Sequence, residues 1–477
     1  MDYISTRGEA PRLTFAEALM AGLARDGGLY MPVEWPQFSP DAIAALAGLP
    51  YAALAGRVMA PFVAGSMSAA EMSELAEAAY ARFSHSARAP LTQIGDDLFV
   101  LELFHGPTLA FKDFAMQALA LLVDRELART GERTVVLGAT SGDTGAAAME
   151  AFKGRASADV FILYPHGRVS DVQRRQMTTA GEPNAHALAV EGSFDDCQAI
   201  VKALFADAAF RDAHRLSAVN SINWARIMAQ APYYVSAATA LGAPGRKVSF
   251  AVPTGNFGDA FAGYVALRAG LPIERLIVAT NSNDILVRAF ETGRYEPRGV
   301  AHTTSPSMDI QISSNFERLL FEASSRDAAR IRTLMAALKE EGAFTLADSE
   351  RAFMAGSFSA RRADEATVAH TIAALYRETG YLADPHTAVA VAAAKAEQAE
   401  TGVGPIVVLA TAHPAKFPDA VREAAGVEPL APARLAGALN AAERYDITPN
   451  DARAVARIIA ERATPAPSSP AHGELRR

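Results

Sequence analysis

Residues 98–117 read LFVLELFHGPTLAFKDFAMQ. The apolar run from Leu98 to Phe104 has the composition of a buried strand. His105-Gly106-Pro107-Thr108 breaks it as a turn. Phe114, Ala118, Leu121 and Leu122 then recur at the spacing of one buried helix face, and Asp113 is placed to cap that helix. Lys112 therefore falls at a helix N-terminus, the wrong end for a cation because the backbone dipole is positive there. The same field lowers a lysine pKa, and a neutral amine is what Schiff-base chemistry needs. Taken alone, this stretch fits an ordinary surface lysine tolerating a small penalty better than a catalytic one. The rest of the chain has to decide.

The strand-then-helix pattern repeats beyond this stretch. TVVLGA (134–139) precedes a helix from Gly145, and DVFILY (159–164) precedes one after Ser170. HALAVEG (186–192) leads to a helix near Asp195, and KVSFAVP (247–253) to one from Asp259. RLIVAT (275–280) and PIVVLAT (405–411) are further apolar runs. Continuous apolar strands alternating with helices predict parallel sheets covered on both faces. The fold class is α/β, and ligands of such sheets bind beyond the carboxyl ends of the strands.

Residues 1–90 differ from this and read as a mostly helical unit. Phe15, Leu19 and Leu23 share one helix face, which Asp26-Gly27-Gly28 ends. The expected division is thus a helical N-terminal domain over 1–90 and two α/β domains over 91–245 and 246–463. The stretch 464–477, rich in Pro, Ser and Ala, is expected to be a disordered tail.

Composition removes several classes of function. With 477 residues the chain is too long for a single ordinary core. The net charge of -8 and the lack of a basic stripe argue against nucleic acid as a partner. No run approaches a membrane span, and the N-terminal residues have no signal-like apolar core. One cysteine, Cys197, allows no internal disulfide, which fits a reducing compartment. The ten histidines include no pair at zinc-site spacing, so no metal is expected. These readings predict a cytoplasmic protein without a membrane partner.

Four loops carry chemistry. Gly138-Ala139-Thr140-Ser141-Gly142-Asp143-Thr144-Gly145 joins a strand to a helix and can bind an anion or simply turn the chain. It lacks the spacing of a Walker A loop and of a dinucleotide fingerprint. Pro253 to Asp259, PTGNFGD, can form a backbone cradle for a phosphate or serve as a plain turn. Thr411, at a strand end, can place a hydroxyl against a ring nitrogen or bond its own backbone. His413, ahead of a proline, is assigned no role. Ser305 to Arg318 is polar and irregular, suited to a shaped loop or to a solvated one. An amine, two anion-type loops and a hydroxyl together fit pyridoxal phosphate with an amino-acid substrate.

At these residues the chain resembles the long bacterial and fungal form of threonine synthase, from about Tyr3 to Asp419. The resemblance lies in GLARDGGLYMP (22–32), HGPTLAFKDFAMQ (105–117), GATSGDTGAA (138–147) and NSINWARI (220–227). It continues through PTGNFGDAFAG (253–263), SPSMDIQISSNFER (305–318), DPHTAVA (384–390) and LATAHPAKF (409–417). It implies a fold-type II pyridoxal-phosphate lyase that converts O-phospho-L-homoserine and water to L-threonine and phosphate. In that reading Lys112 is the catalytic, Schiff-base lysine. Gly255, Asn256, Phe257, Gly258 and Asp259 hold the cofactor phosphate, and Thr411 meets the pyridine nitrogen. Ser141, Asp143 and Thr144 hold the carboxylate region of the substrate. Shorter relatives carry Asn where this chain has Asp143. Lys416, Arg318 and Asn281 are candidates for the substrate phosphate. A monomer is expected. A phospho-lyase releasing 2-oxobutyrate, or a non-catalytic cofactor-binding relative, is the alternative.

Overall fold

The computed structural model describes residues 1–218 and 221–464. The expected disordered tail therefore lies outside the described residues, apart from Thr464. That residue is tied down, its N–H and hydroxyl reaching the Asp159 carboxylate at 2.9 and 3.2 Å. The chain forms two compact units that cut across the expected boundaries. Among the described residues one comprises 1–119 and 221–439, the other 120–218 and 440–464.

The larger unit is built on a six-stranded sheet. Its spatial order is Phe358–Arg362, Ile273–Thr280, Val248–Pro253, Ile406–Ala410, Leu98–Glu102, Leu91–Gly95. All pairs are parallel except the last, where Leu91–Gly95 runs antiparallel. Ile406–Ala410 is apolar at every position and Val248–Pro253 at every position but Ser249, and both are buried throughout because both faces are covered. On one face Val100, Ala251, Ile277 and Val408 pack against the helices Glu365–Thr379 and Pro385–Thr401. Tyr234, on the helix Ala231–Ala240, packs edge-on against Phe250 at 4.8 Å, so alternate residues of that strand serve different neighbours.

The N-terminal region of this unit is helical, as expected, but begins with a small antiparallel sheet of Asp2–Ser5, Leu13–Thr14 and Tyr30–Pro32. Its first helix, Phe15–Ala21, ends at Gly22 with φ +65°, earlier than the Asp26-Gly27-Gly28 stop. Leu23 is consequently outside the helix and exposed. Thr14 and Glu17 form a reciprocal capping box that sets the start.

The smaller unit has a five-stranded, all-parallel sheet in the order Asp446–Pro449, Ala185–Glu191, Ala158–Pro165, Thr134–Ala139, Leu216–Ala218. Among the described residues no helix is long and apolar enough to cross a membrane, and no acidic, His or Cys group is arranged to hold a metal ion.

Candidate active site

Three neighbouring parallel strands of the larger unit end on the same side of their sheet: Val248–Pro253, Ile406–Ala410 and Leu98–Glu102. The loops that leave them carry the Gly255–Asp259 segment, Thr411 and Lys112.

The chain leaving Leu98–Glu102 stays tied to its neighbour. Leu103 N–H donates to Ala410 O at 3.0 Å, and Phe111 N–H donates to Thr411 O at 2.8 Å. His413 N–H returns to Leu109 O at 3.0 Å, and Ala110 and Ala412 form an isolated antiparallel bridge. Lys112 thus follows directly on a residue bonded to Thr411. It begins the helix Lys112–Thr130, so Asp113 is the second helical residue rather than the cap expected. The buried Asp113 carboxylate accepts from Thr108 N–H at 2.7 Å and from the Thr108 hydroxyl at 2.8 Å, clamping the turn. Gly106 makes room for the clamp: a Cβ there would sit 2.4 Å from Asp113 Cβ. Lys112 itself is half-buried, with Nζ 4.6 Å from the centre of the Phe111 ring.

The loop after Val248–Pro253 turns sharply into the helix Gly258–Arg268, with Phe257 in the left-handed region at φ +60°. Such a conformation is costly for a bulky residue unless packing enforces it. Here the buried Phe257 ring lies 5.5 Å from Phe316 and 5.6 Å from Phe358. The side chain belongs to the core, which leaves only its backbone to face a ligand. The 305–318 segment walls the loop and is not a solvated excursion. Ser313 Oγ donates to Gly255 O at 2.8 Å, and Asn315 gives Asn256 O both its N–H (3.1 Å) and its Nδ2 (3.0 Å). A Cβ on Gly255 would lie 2.7 Å from Ser307 O.

Asp259, in the first turn of that helix, points into the protein. Its Oδ1 accepts from the hydroxyls of Tyr233 and, at 3.0 Å, Tyr234; Tyr234 also donates to Asp259 O at 2.8 Å. Burial pushes its carboxyl up to about 6, against the two tyrosine hydroxyls and the Lys112 charge, which pull the other way. Burial and then the Asp259 charge hold both tyrosines well above the ordinary phenol range, so both remain donors. Any phosphate contact from Asp259 therefore falls to its backbone N–H, one of the groups a helix leaves unpaired in its first turn. Sequence reading missed Tyr233 and Tyr234, since two aromatic residues on a buried helix look like core.

In the smaller unit the 138–145 loop is a built turn. Thr140 Oγ1 accepts from Gly142 N–H and Gly145 N–H, both at 2.9 Å. Gly142 has φ +150°, and a Cβ there would meet Gln173 Cδ at 2.3 Å. The helix starts at Asp143, not Gly145. Asp143 is buried, with Oδ1 accepting from Gln173 Nε2 at 3.0 Å, whereas Ser141 is exposed and Thr144 half-buried.

The three candidates for the substrate phosphate are all engaged by the framework. Arg318, fully buried, donates to Tyr30 O at 3.2 Å, to Ile222 O at 2.6 Å and to Asn315 Oδ1. Asn281 Nδ2 reaches Thr303 Oγ1 and Asp309 Oδ1, each at 2.8 Å. Lys416 Nζ, also buried, donates to Thr108 O at 2.8 Å. His413 accepts from Ala415 N–H, and burial and then His105 hold it down to about 4, so it is neutral.

The donor set fits pyridoxal phosphate. It offers an amine at a helix start, backbone N–H groups at the head of an eleven-residue helix, and an uncharged hydroxyl at the next strand end. Residues 85–412 match the family model of the pyridoxal-phosphate dependent enzymes, and this is the class that fold and site define. Residues 2–80 match the threonine synthase N terminus and residues 387–459 the threonine synthase C-terminal family. A threonine synthase from Pseudomonas aeruginosa is 52% identical over 462 residues, covering 97% of this chain and 98% of the relative. One from Saccharomyces cerevisiae is 43% identical over 455 residues, 88% of each chain. The crystal structure of PLP-bound threonine synthase from Brucella melitensis superposes with a TM-score of 0.94 at 57% identity, covering 97% of this chain and 99% of that one. The chain belongs to the threonine synthase family, and its cofactor is pyridoxal phosphate.

Proposed function

We propose that this chain converts O-phospho-L-homoserine and water to L-threonine and phosphate. One observation carries the reading: Lys112, Thr411 and the Gly255–Asp259 loop leave three adjacent parallel strands at the same end. Bound there, the cofactor supplies an electron sink for charge developing on the substrate carbons. Lys112 would hold the cofactor covalently and, when free, its amine would move protons at the α and β carbons of the substrate. The backbone of Gly255, Asn256, Phe257, Gly258 and Asp259 holds the cofactor phosphate. Thr411 gives the ring nitrogen a neutral hydroxyl, which adds no charge to hold that nitrogen protonated. Ser141, Asp143 and Thr144 fix the carboxylate region of the substrate, with Gln173 orienting Asp143. Phosphate departs from Cγ and water adds at Cβ.

The test is product analysis. Pure protein with cofactor and O-phospho-L-homoserine should release threonine and phosphate in equal amounts. Release of 2-oxobutyrate without threonine overturns the reading.

A further inference from the structure

Arg318 lies on the helix Phe316–Ala323 and is fully buried, yet every group it bonds to is neutral. Its Nη2 donates to Ile222 O at 2.6 Å and to Tyr30 O at 3.2 Å, its Nε to Tyr30 O at 3.4 Å, and its Nη1 to Asn315 Oδ1. The Trp224 ring centre is 5.8 Å from the guanidinium carbon. The neighbouring Glu317 carboxylate is taken by the Thr6 hydroxyl at 2.6 Å and by Arg7 at 2.9 Å. Burial pulls the Arg318 guanidinium down to about 9, with the Glu317 charge acting the other way, so it is still a cation at neutral pH. A buried cation with no carboxylate in contact is costly to keep. This one spends its donors on two backbone carbonyls and one amide.

The amide is what reaches the cofactor loop. Arginine has only donors, so the Asn315 oxygen has to face it and the Asn315 Nδ2 has to face away. That Nδ2 donates to Asn256 O at 3.0 Å and to Ser221 O at 3.2 Å, and Asn315 N–H adds a bond of 3.1 Å to Asn256 O. The Asn256–Phe257 peptide is trans, so its N–H points opposite to its C=O. Holding Asn256 O toward Asn315 therefore turns the Phe257 N–H to the other side of the loop. We propose that Arg318 is a positioning residue for the cofactor phosphate, acting through Asn315 to fix the direction of the Phe257 N–H. The inference rests on the cradle proposed above, and it assigns Arg318 to the cofactor instead of to the substrate phosphate. Lysine is no substitute: its ammonium is a point donor, whereas the planar fork reaches Asn315, Ile222 and Tyr30 together.

The experiment titrates cofactor-free Arg318→Lys with pyridoxal phosphate, followed by visible absorbance. KM for O-phospho-L-homoserine is then measured at saturating cofactor. The Kd of the cofactor should rise roughly tenfold, with KM within about twofold of wild type. A wild-type Kd overturns the proposal, and a raised KM at wild-type Kd shows instead that Arg318 serves the substrate. If Arg318→Lys does not fold, Asn315→Asp carries the test. Its carboxylate satisfies Arg318 in the same volume but offers Asn256 O no side-chain donor, so the Kd should again rise; a wild-type Kd overturns the proposal. Gly255→Ala separates this inference from the reading beneath it. A raised Kd in Gly255→Ala with an unmoved Kd in Arg318→Lys refutes only the role of Arg318, whereas a wild-type Kd in both refutes the cradle.

Discussion

A single methyl group at Gly255 probes the cofactor cradle proposed above. In Gly255→Ala the new Cβ would lie 2.7 Å from Ser307 O, 3.2 Å from Ile310 Cγ1 and 3.4 Å from Met308 Cα. The first contact is short of ordinary separation by roughly half an ångström or more. Neither side yields freely. Gly255 O is held by Ser313 Oγ at 2.8 Å, and the next carbonyl, Asn256 O, is held twice by Asn315. Ser307 N–H donates to His386 Nε2 at 3.3 Å, and His386 Nδ1 is fixed to Asp384 at 2.7 Å. Overpacking a braced site of this kind costs about 1–3 kcal/mol. If the loop gives way, its N–H groups leave the phosphate position and the cost falls on cofactor binding, about 5- to 150-fold in Kd. The assay is titration of cofactor-free protein with pyridoxal phosphate, followed by the visible absorbance of the bound form. Gly258→Ala is the comparison, with its Cβ at a milder 3.3 Å from Asn315 Nδ2, and should lose less affinity. Wild-type affinity in Gly255→Ala, with unchanged thermal stability, would show that the phosphate is held elsewhere.

Further outcomes are expected. Lys112→Ala should lose the visible Schiff-base band and at least a thousandfold in turnover; a retained band would place the covalent link on another lysine. Thr144→Ala should lower threonine formation and raise the share of 2-oxobutyrate, both measured in one reaction mixture; an unchanged ratio removes Thr144 from that partition. Stability should also depend on pH through Asp259. Its folded-state pKa, raised from 3.8 to about 6, makes the charged form unfavourable in the fold. The group therefore costs nothing below pH 4, and its penalty grows to about 3 kcal/mol as pH rises through 6. Denaturant unfolding of cofactor-free protein at pH 4.5 and 7 should show this slope, and Asp259→Asn should lack it.

The buried strands were legible because sheets covered on both faces demand unbroken apolar runs. Thr134–Ala139 and Val248–Pro253 lie where the sequence puts them. Four strands of the two large sheets went unread: Leu91–Gly95, Leu216–Ala218, Phe358–Arg362 and Asp446–Pro449. Each is at the edge of its sheet, where one side lacks a neighbour and an apolar run is not needed. The division into units was illegible for another reason. Leu98–Glu102 reads as the start of the domain that follows it, yet it pairs with Ile406–Ala410, and local pattern carries no record of pairing between distant segments. At the candidate site, Lys112, Thr411 and the 253–259 loop were visible as chemistry placed after strands. The Tyr233 and Tyr234 support was not, because their role depends on which carboxylate the fold brings to their hydroxyls. The 305–318 segment was ambiguous for the same reason: its polar groups are spent on the carbonyls of Gly255 and Asn256.

The order of strands also has a consequence during synthesis. Ile406–Ala410 separates Leu98–Glu102 from Val248–Pro253, and it is the last strand of its sheet to leave the ribosome. Until it emerges, the hairpin that leads to Lys112 and the strand that leads to the Gly255–Asp259 loop have no shared neighbour to hold them in register. A nascent chain truncated before residue 406 should therefore expose two unpaired sheet edges and fail to retain the vitamin-derived group, even though Lys112 and the whole glycine loop are already made. Cofactor capture then waits on one short strand, the last of its sheet to be made.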